Sequence, residues 1–295
     1  MADVLSKATL FDPKLVSDLI NKVKGKSSLA VLSAQTPIAF NGNKEFIFTM
    51  DSEIDIVAEN GKYSHGGISL EPIIIVPIKV EYGARVSEEF MTAAEEEQIE
   101  ILKAFNEGFA RKMASGLDIA AMHGVNPRTG QASVVIGDNN FDSKVTQTVD
   151  YDAATPDANI EAAIAMVEGS DGEVSGMAIA PAVRSDLAAL TRSTGEKLYP
   201  DFAFGGQPAN LGANRLDINK TVAHGTSKDK AIVGDFANMF KWGYSKEVTM
   251  EVIPYGDPDN TGVDLKGSGQ VYIRARGHIG WGIFDGNSFA RVVSA

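Results

Sequence analysis

The residues best able to move a proton or hold a metal near neutral pH are four histidines, His65, His123, His224 and His278. No two are close in sequence and no HExxH pair is present, so each reads as a structural histidine. The run Glu88, Glu89, Glu95, Glu96, Glu97 and Glu100 is acidic enough to attract a cation. No histidine is interleaved and no second carboxylate cluster stands at ligand spacing, so it reads as a solvated face. DPDNTG at 257–262 starts like a calcium loop, but Thr261 stands where Asp or Asn is required and Ser268 where the bidentate Glu belongs. A polar hairpin turn explains it better. GSGQVY at 267–272 fails the dinucleotide fingerprint at its last position, and neither a Walker loop nor a GxSxG elbow is present. Asn219-Lys220-Thr221 fits a glycosylation sequon, which matters only on secretion. The expectation is no catalytic group, no metal and no cofactor.

The bulk properties narrow the class further. Of 295 residues, 44% are hydrophobic and 22% charged, a globular balance with room for one large domain or two ordinary ones. A net charge of −12 makes the chain a poor candidate for gripping nucleic acid by its phosphates, which needs clustered Lys and Arg. The absence of cysteine excludes disulfides and thiolate metal sites. The start, MADVLSKATLF, lacks the pattern of a signal peptide, and no apolar run approaches the roughly 20 residues of a membrane helix. The expected setting is a cytoplasm, with no membrane.

The elements that would position any site come next. In the lead 1–43, Asp12 can cap and Pro13 open a helix carrying Leu15, Leu19 and Val23, with Gly25 ending it. Its lysines, Lys14, Lys22, Lys24 and Lys26, read as a solvated face. Residues 44–86 read as extended: Phe46, Phe48 and Met50 alternate with polar neighbours, Ile54 and Ile56 continue, and Ile78, Val80 and Tyr82 alternate after Pro77. Two such flanks make a hairpin reaching roughly 50 Å, with polar VAENGKYSHGG, 57–67, at its tip. So long a two-stranded ribbon is marginal alone, so its own domain or a neighbour must cover its apolar face.

A helix is expected over 87–123, with Phe90, Ala94, Ile101, Phe105, Phe109 and Met113 on one stripe. Its glutamates precede Lys103, Arg111 and Lys112, which suits the helix dipole. Residues 124–150 are Gly-, Asn- and Asp-rich with short strand-like runs. Thr155 then caps a helix opened by Pro156 and lined by Ile160, Ile164 and Val167. SGMAIAP reads as a buried strand, AVRSDLAALTR as a helix and KAIVGDF as a strand. The loop 193–214 carries Gly195, Pro200, Gly205, Gly206, Pro208 and Gly212, a length that is usually functional. Alternation returns at Val248, Met250 and Val252, at Val271, Ile273 and Ala275, and at Ile279, Trp281 and Ile283. The class is α+β. Arms and ribbons without a catalytic constellation suggest assembly, since exposed strand edges serve as docking devices.

Four segments, in this order, carry a resemblance: KVEYGARVSEEFMTAA, GLDIAAMHG with Asp118, AIVGDFANMFKWGYSKEVTMEV, and YGDPDNTGVDLKGSGQVYIRARGHIGWGIFDGNSFARV. The last, with Arg274, Arg276, Gly280-Trp281 and Phe289-Ala290, is the most specific. From about Phe11 to Val292 the set resembles the major capsid proteins of tailed bacteriophages, which have the Hong Kong 97-type fold. The resemblance implies an N-terminal arm over 1–43 and an extended loop over 44–82. It implies a peripheral domain over 83–149 built on a spine helix 87–123, and an axial domain over 150–245. Residues 246–295 would supply a long peripheral strand and a return to the axial domain.

By the same resemblance the chain is no enzyme. It forms hexamers and pentamers of an icosahedral head around phage double-stranded DNA, in the virion, after assembly in the host bacterial cytoplasm. Glu59, Asn60, Gly61, Lys62 and Tyr63 would touch a neighbouring subunit, and Gly195, Pro200, Gly205, Gly206 and Pro208 would stand at the ring centre. The implied partners are further copies, a portal protein, a scaffolding protein separate from this chain because the arm starts almost at Met1, and optional decoration proteins. Some relatives join their loops by a Lys–Asn isopeptide bond; Lys62 sits at the tip, but no Asn or Glu aligns as its partner, so cross-linking is not expected. The alternatives are an encapsulin-type compartment shell, distinguished by enzyme cargo, and an unrelated ligand-binding protein or enzyme.

Overall fold

The computed structural model describes residues 26–50, 54–57, 59, 61–62, 65–89 and 95–294. The helix expected within residues 13–25 and residues 90–94 of the long helix lie outside these, as do Asn60 and Tyr63.

Strands β1 (Asn43–Met50) and β2 (Ile68–Ile75) form an antiparallel ribbon from Asn43↔Ile75 to Met50↔Ile68. Eight residues per strand give a paired length of roughly 27 Å, shorter than the alternating pattern suggests. Two features account for the difference. Ile54 and Ile56 stand outside any strand, 91% and 94% exposed. Pro77, which has no N–H to give a ladder, separates β2 from β3 (Ile78–Ser87). Residues 78–82, read from sequence as part of the extended loop, instead pair with β10 (Gln270–Ile283).

β3 and β9 (Phe240–Ile253) flank β10 in a three-stranded antiparallel sheet. The side chains of β10 alternate between buried and half-buried until its last residues, as the sequence pattern requires. Residues 35–38 run beside β9, with Thr36 N–H donating to the Trp242 carbonyl at 2.8 Å. That approach needs Gly243, because a Cβ there would lie 1.7 Å from the Thr36 carbonyl oxygen.

A short helix α1 (Ser28–Leu32) precedes these strands. The long helix α2 (Glu95–His123) buries Phe109, Ala110, Met113, Ala114 and Leu117, while Phe105 packs on Val271 and Ile273 of β10. After it, residues 133–137 form a turn in which Ile136 N–H and Gly137 N–H both donate to the Ser133 carbonyl. The strand-like run expected there therefore gives way to local hydrogen bonding, leaving Val134 98% exposed. Helix α3 (Phe141–Lys144) follows.

A six-stranded mixed sheet has the order β4 (Thr148–Asp150), β11 (Phe289–Val293), β8 (Asp229–Gly234), β5 (Gly176–Ile179), β7 (Asn214–Ile218), β6 (Asn210–Leu211). Helices α4 (Pro156–Glu168) and α5 (Pro181–Ala189) pack on it. Thr155 holds the N-cap position of α4, as expected, but its side chain makes no capping bond. Phe141, Phe236, Phe240 and Phe289 form an aromatic cluster that joins α3, β9 and β11.

Candidate functional site

The ribbon carries its residues on two unlike faces. Directly paired residues point the same way, so Lys44, Phe46, Ile68, Leu70, Pro72 and Ile74 share one face. Phe46, Ile68, Leu70 and Ile74 are each at least half exposed there. The opposite face at the root is bolted down: Ile75 is 2% exposed, against Gly280 and Gly282 of β10, and Glu45 pairs with Lys241 at 2.7 Å. The ribbon is thus anchored by its root, while the described side chains of its apolar face stay at least half open to solvent. Contiguous exposed apolar patches of this kind mark interaction sites. Beyond the ladder, Glu59, Gly61 and Lys62 are exposed.

The second exposed feature is the loop after α5. Thr191 and Lys197 bridge its base around Gly195, which is exposed at φ +85°. Pro200 opens a short 3-10 turn whose Phe202 is buried and meets the Tyr199 ring edge-on at 6.3 Å. Gly206 closes that turn where a Cβ would lie 1.9 Å from the Asp201 carbonyl oxygen. Gly205 is exposed, and Pro208 is half-buried. Just before Gly205, Phe204 takes a left-handed conformation, φ 53°, with its ring wholly in solvent. Sequence reasoning picked out the glycines and prolines of this loop and missed Phe204, because nothing local distinguishes it from the buried Phe202.

Three polar clusters, two buried and one at the surface, hold distant elements together. Asp118 of α2 is fully buried and accepts from Ser27 Oγ (2.5 Å), Ser28 N (2.9 Å), Leu29 N (3.2 Å), Thr221 Oγ1 (2.9 Å) and Asn219 Nδ2 (3.4 Å). Burial pushes its carboxyl up to about 6, against the pull of these donors. The second cluster explains DPDNTG: Arg85 of β3 reaches the carboxylates of Asp257 (2.9 Å) and Asp259 (2.5 Å) and the Val263 carbonyl (3.0 Å). The Arg85 hydrogen bond holds Asp259 down at about 2. The carboxylates that suggested calcium serve a guanidinium.

The third cluster joins His123, Asp142, Asp229 and Arg291. Burial, reinforced by Asp142, raises the Asp229 carboxyl to about 7. The other histidines play no shared part: His65 is exposed, His224 half-buried, and His278 packs edge-on against Phe40 at 5.5 Å.

Residues 8–294 match the family model described as the phage capsid family. A solved structure from Mycobacterium phage Ogopogo is similar, with a TM-score of 0.78, 29% identity, and coverage of 92% of each chain. One from Gordonia phage Cozz has a TM-score of 0.75 at 22% identity, covering 92% of this chain and 87% of that one. A third, described as the capsid of an empty GTA particle computed with C5 symmetry, shares the fold at a TM-score of 0.63 and 13% identity over 92% and 90% of the chains. No curated protein matches.

Proposed function

This chain belongs to the phage capsid family and is a major capsid shell protein, and on that premise we propose that its ribbon is the clasp that joins one copy to the next. The observation that carries the reading is the bare apolar face of Phe46, Ile68, Leu70 and Ile74 on a ribbon whose root is fixed. Covering the exposed part of each such side chain, half to two thirds of it, contributes roughly 1–2 kcal/mol. In a closed shell that gain recurs at every copy, so contacts that are weak singly become strong together. A sister copy is the occupant a shell supplies.

In this reading residues 44–77, the part of the sequence-read loop that precedes β3, form the inter-subunit loop, with Glu59, Asn60, Gly61, Lys62 and Tyr63 its contacting tip. Residues 1–43 form an arm. α2 with the β3-β10-β9 sheet makes the peripheral domain, and the six-stranded sheet makes the axial domain. The loop holding Gly195, Pro200, Gly205, Gly206 and Pro208 then lies at the centre of hexamers and pentamers. The shell is an icosahedral head around double-stranded DNA, formed in the host cytoplasm with a separate scaffolding protein and a portal. The protein acts structurally, without catalysis. A net charge of −12 suits a wall that must not trap packaged DNA.

Electron microscopy of the expressed chain, alone and with a co-expressed scaffolding protein, tests this. Closed shells in either case are expected; lone subunits in both at high concentration would contradict it.

A further inference from the structure

His123 ends α2, Asp142 lies in α3, Asp229 begins β8 and Arg291 lies in β11. Their side chains meet in the interior, with exposures of 4%, 32%, 0% and 14% in that order. The hydrogen bonds sort the atoms. His123 Nε2 lies 2.9 Å from the Thr221 carbonyl oxygen. A carbonyl only accepts, so Nε2 carries a hydrogen and donates it. Arg291 donates to Asp229 Oδ1 at 3.0 Å and to the Asp142 backbone carbonyl at 2.9 Å, and its guanidinium lies 3.3 Å from Asp142 Oδ1 as an ion pair without a hydrogen bond.

Three of the other atoms face one another. His123 Nδ1 is 3.1 Å from Asp142 Oδ2 and 3.8 Å from Asp229 Oδ2. The three residues offer ligand atoms that all lie within 4.8 Å of one another. Asp229 Oδ2 belongs to a fully buried residue and accepts no hydrogen bond, a costly condition for a carboxylate oxygen. We propose that His123 Nδ1, Asp142 Oδ2 and Asp229 Oδ2 hold a divalent transition-metal ion of the zinc class.

The chemistry fits on three counts. A histidine whose far N–H donates to a backbone carbonyl presents its other nitrogen as a fixed lone pair, the usual posture of a ligating imidazole. One imidazole with two carboxylates suits zinc. Donors about 2.0–2.1 Å from a tetrahedral ion stand about 3.3 Å apart, close to the 3.1 and 3.8 Å found. The competing occupants are two protons, one on Nδ1 directed at Asp142 Oδ2 and one on the Asp229 carboxyl, which burial raises to about 7. A single divalent ion takes the place of both. Asp142, a third exposed, leaves the side from which ion and water enter. The ion would tie the end of α2 to the six-stranded sheet, and the inference does not depend on how copies assemble.

The test uses the full chain, stripped with chelator and titrated with Zn(II), read by native mass spectrometry and thermal melting. One zinc per chain and a raised melting temperature are expected. Asp142→Asn should weaken binding by at least about tenfold, with unchanged circular dichroism, and lose the thermal shift. Cobalt(II) on the wild type should give the visible spectrum of a nitrogen–oxygen site, a readout that needs no variant. Equal zinc binding by wild type and variant, no binding at all, or nitrogen NMR showing both His123 ring nitrogens protonated in excess zinc would each overturn the proposal.

Discussion

The Ser27 hydroxyl donates to Asp118 Oδ1 at 2.5 Å, joining residues 91 apart in the chain. Through this bond and its neighbours the start of α1 is stapled to α2, and Asn219 and Thr221 complete the clasp. Because burial raises the Asp118 carboxyl to about 6 from an ordinary 3.8, the folded state binds its proton more tightly than the unfolded one. Its contribution to stability is therefore full below about pH 4 and lost as pH rises through about 6. Asp118→Asn does not titrate and presents an amide to donors, costing about 1–3 kcal/mol. The stability advantage of wild type over Asp118→Asn, from urea midpoints, should grow as pH falls from 7 to 4. A shrinking advantage would show that the five donors outweigh burial.

Arg85 binds four points of the β9–β10 connection at once, Asp257, Asp259, Thr261 and Val263, so it fixes a segment that is otherwise a polar turn. Arg85→Gln should speed limited proteolysis within 257–263 severalfold and let the Asp259 carboxyl, now held at about 2, titrate in the ordinary range. Carboxyl NMR and a digestion time course check both. An unchanged Asp259 titration would contradict the assignment.

Phe204 is held outward by a turn that Phe202 anchors and Gly206 closes. A large apolar ring kept wholly in solvent gains nothing within one subunit, and its left-handed backbone costs about 1 kcal/mol or more. Phe204→Gly should leave the isolated subunit as stable as wild type or more so, by denaturant unfolding. It should also slow assembly severalfold by light scattering, if this loop meets its sisters at ring centres. Normal assembly kinetics would remove the loop from the interface.

Much of the architecture is legible in the sequence because periodicity records burial. Phe105, Phe109 and Met113 mark the inner stripe of α2, and Val271, Ile273 and Ala275 the inner face of β10. Pro156 opens a helix where the sequence has it, whereas Pro181, read as the end of a strand, opens the next one. What stays hidden depends on distant chain segments. Asp257 and Asp259 read only as part of a polar hairpin turn until Arg85 arrives from another strand. His123, Asp142, Asp229 and Arg291 share no local spacing, so no motif announces them. Val134 and Val135 have strand propensity but no strand beside them, and the Ser133 carbonyl wins their turn. The ribbon's alternation is plain, yet Pro77 decides where it ends.

The central claim is that the face holding Phe46 and Leu70 is completed by a sister copy. Assembly of Leu70→Asp beside wild type, followed by electron microscopy and sedimentation, tests it most directly. The side chain is 56% exposed in the subunit, so the substitution should leave the subunit's fold and circular dichroism intact while closed shells are lost in favour of free subunits. Shells forming from Leu70→Asp as readily as from wild type would contradict the account.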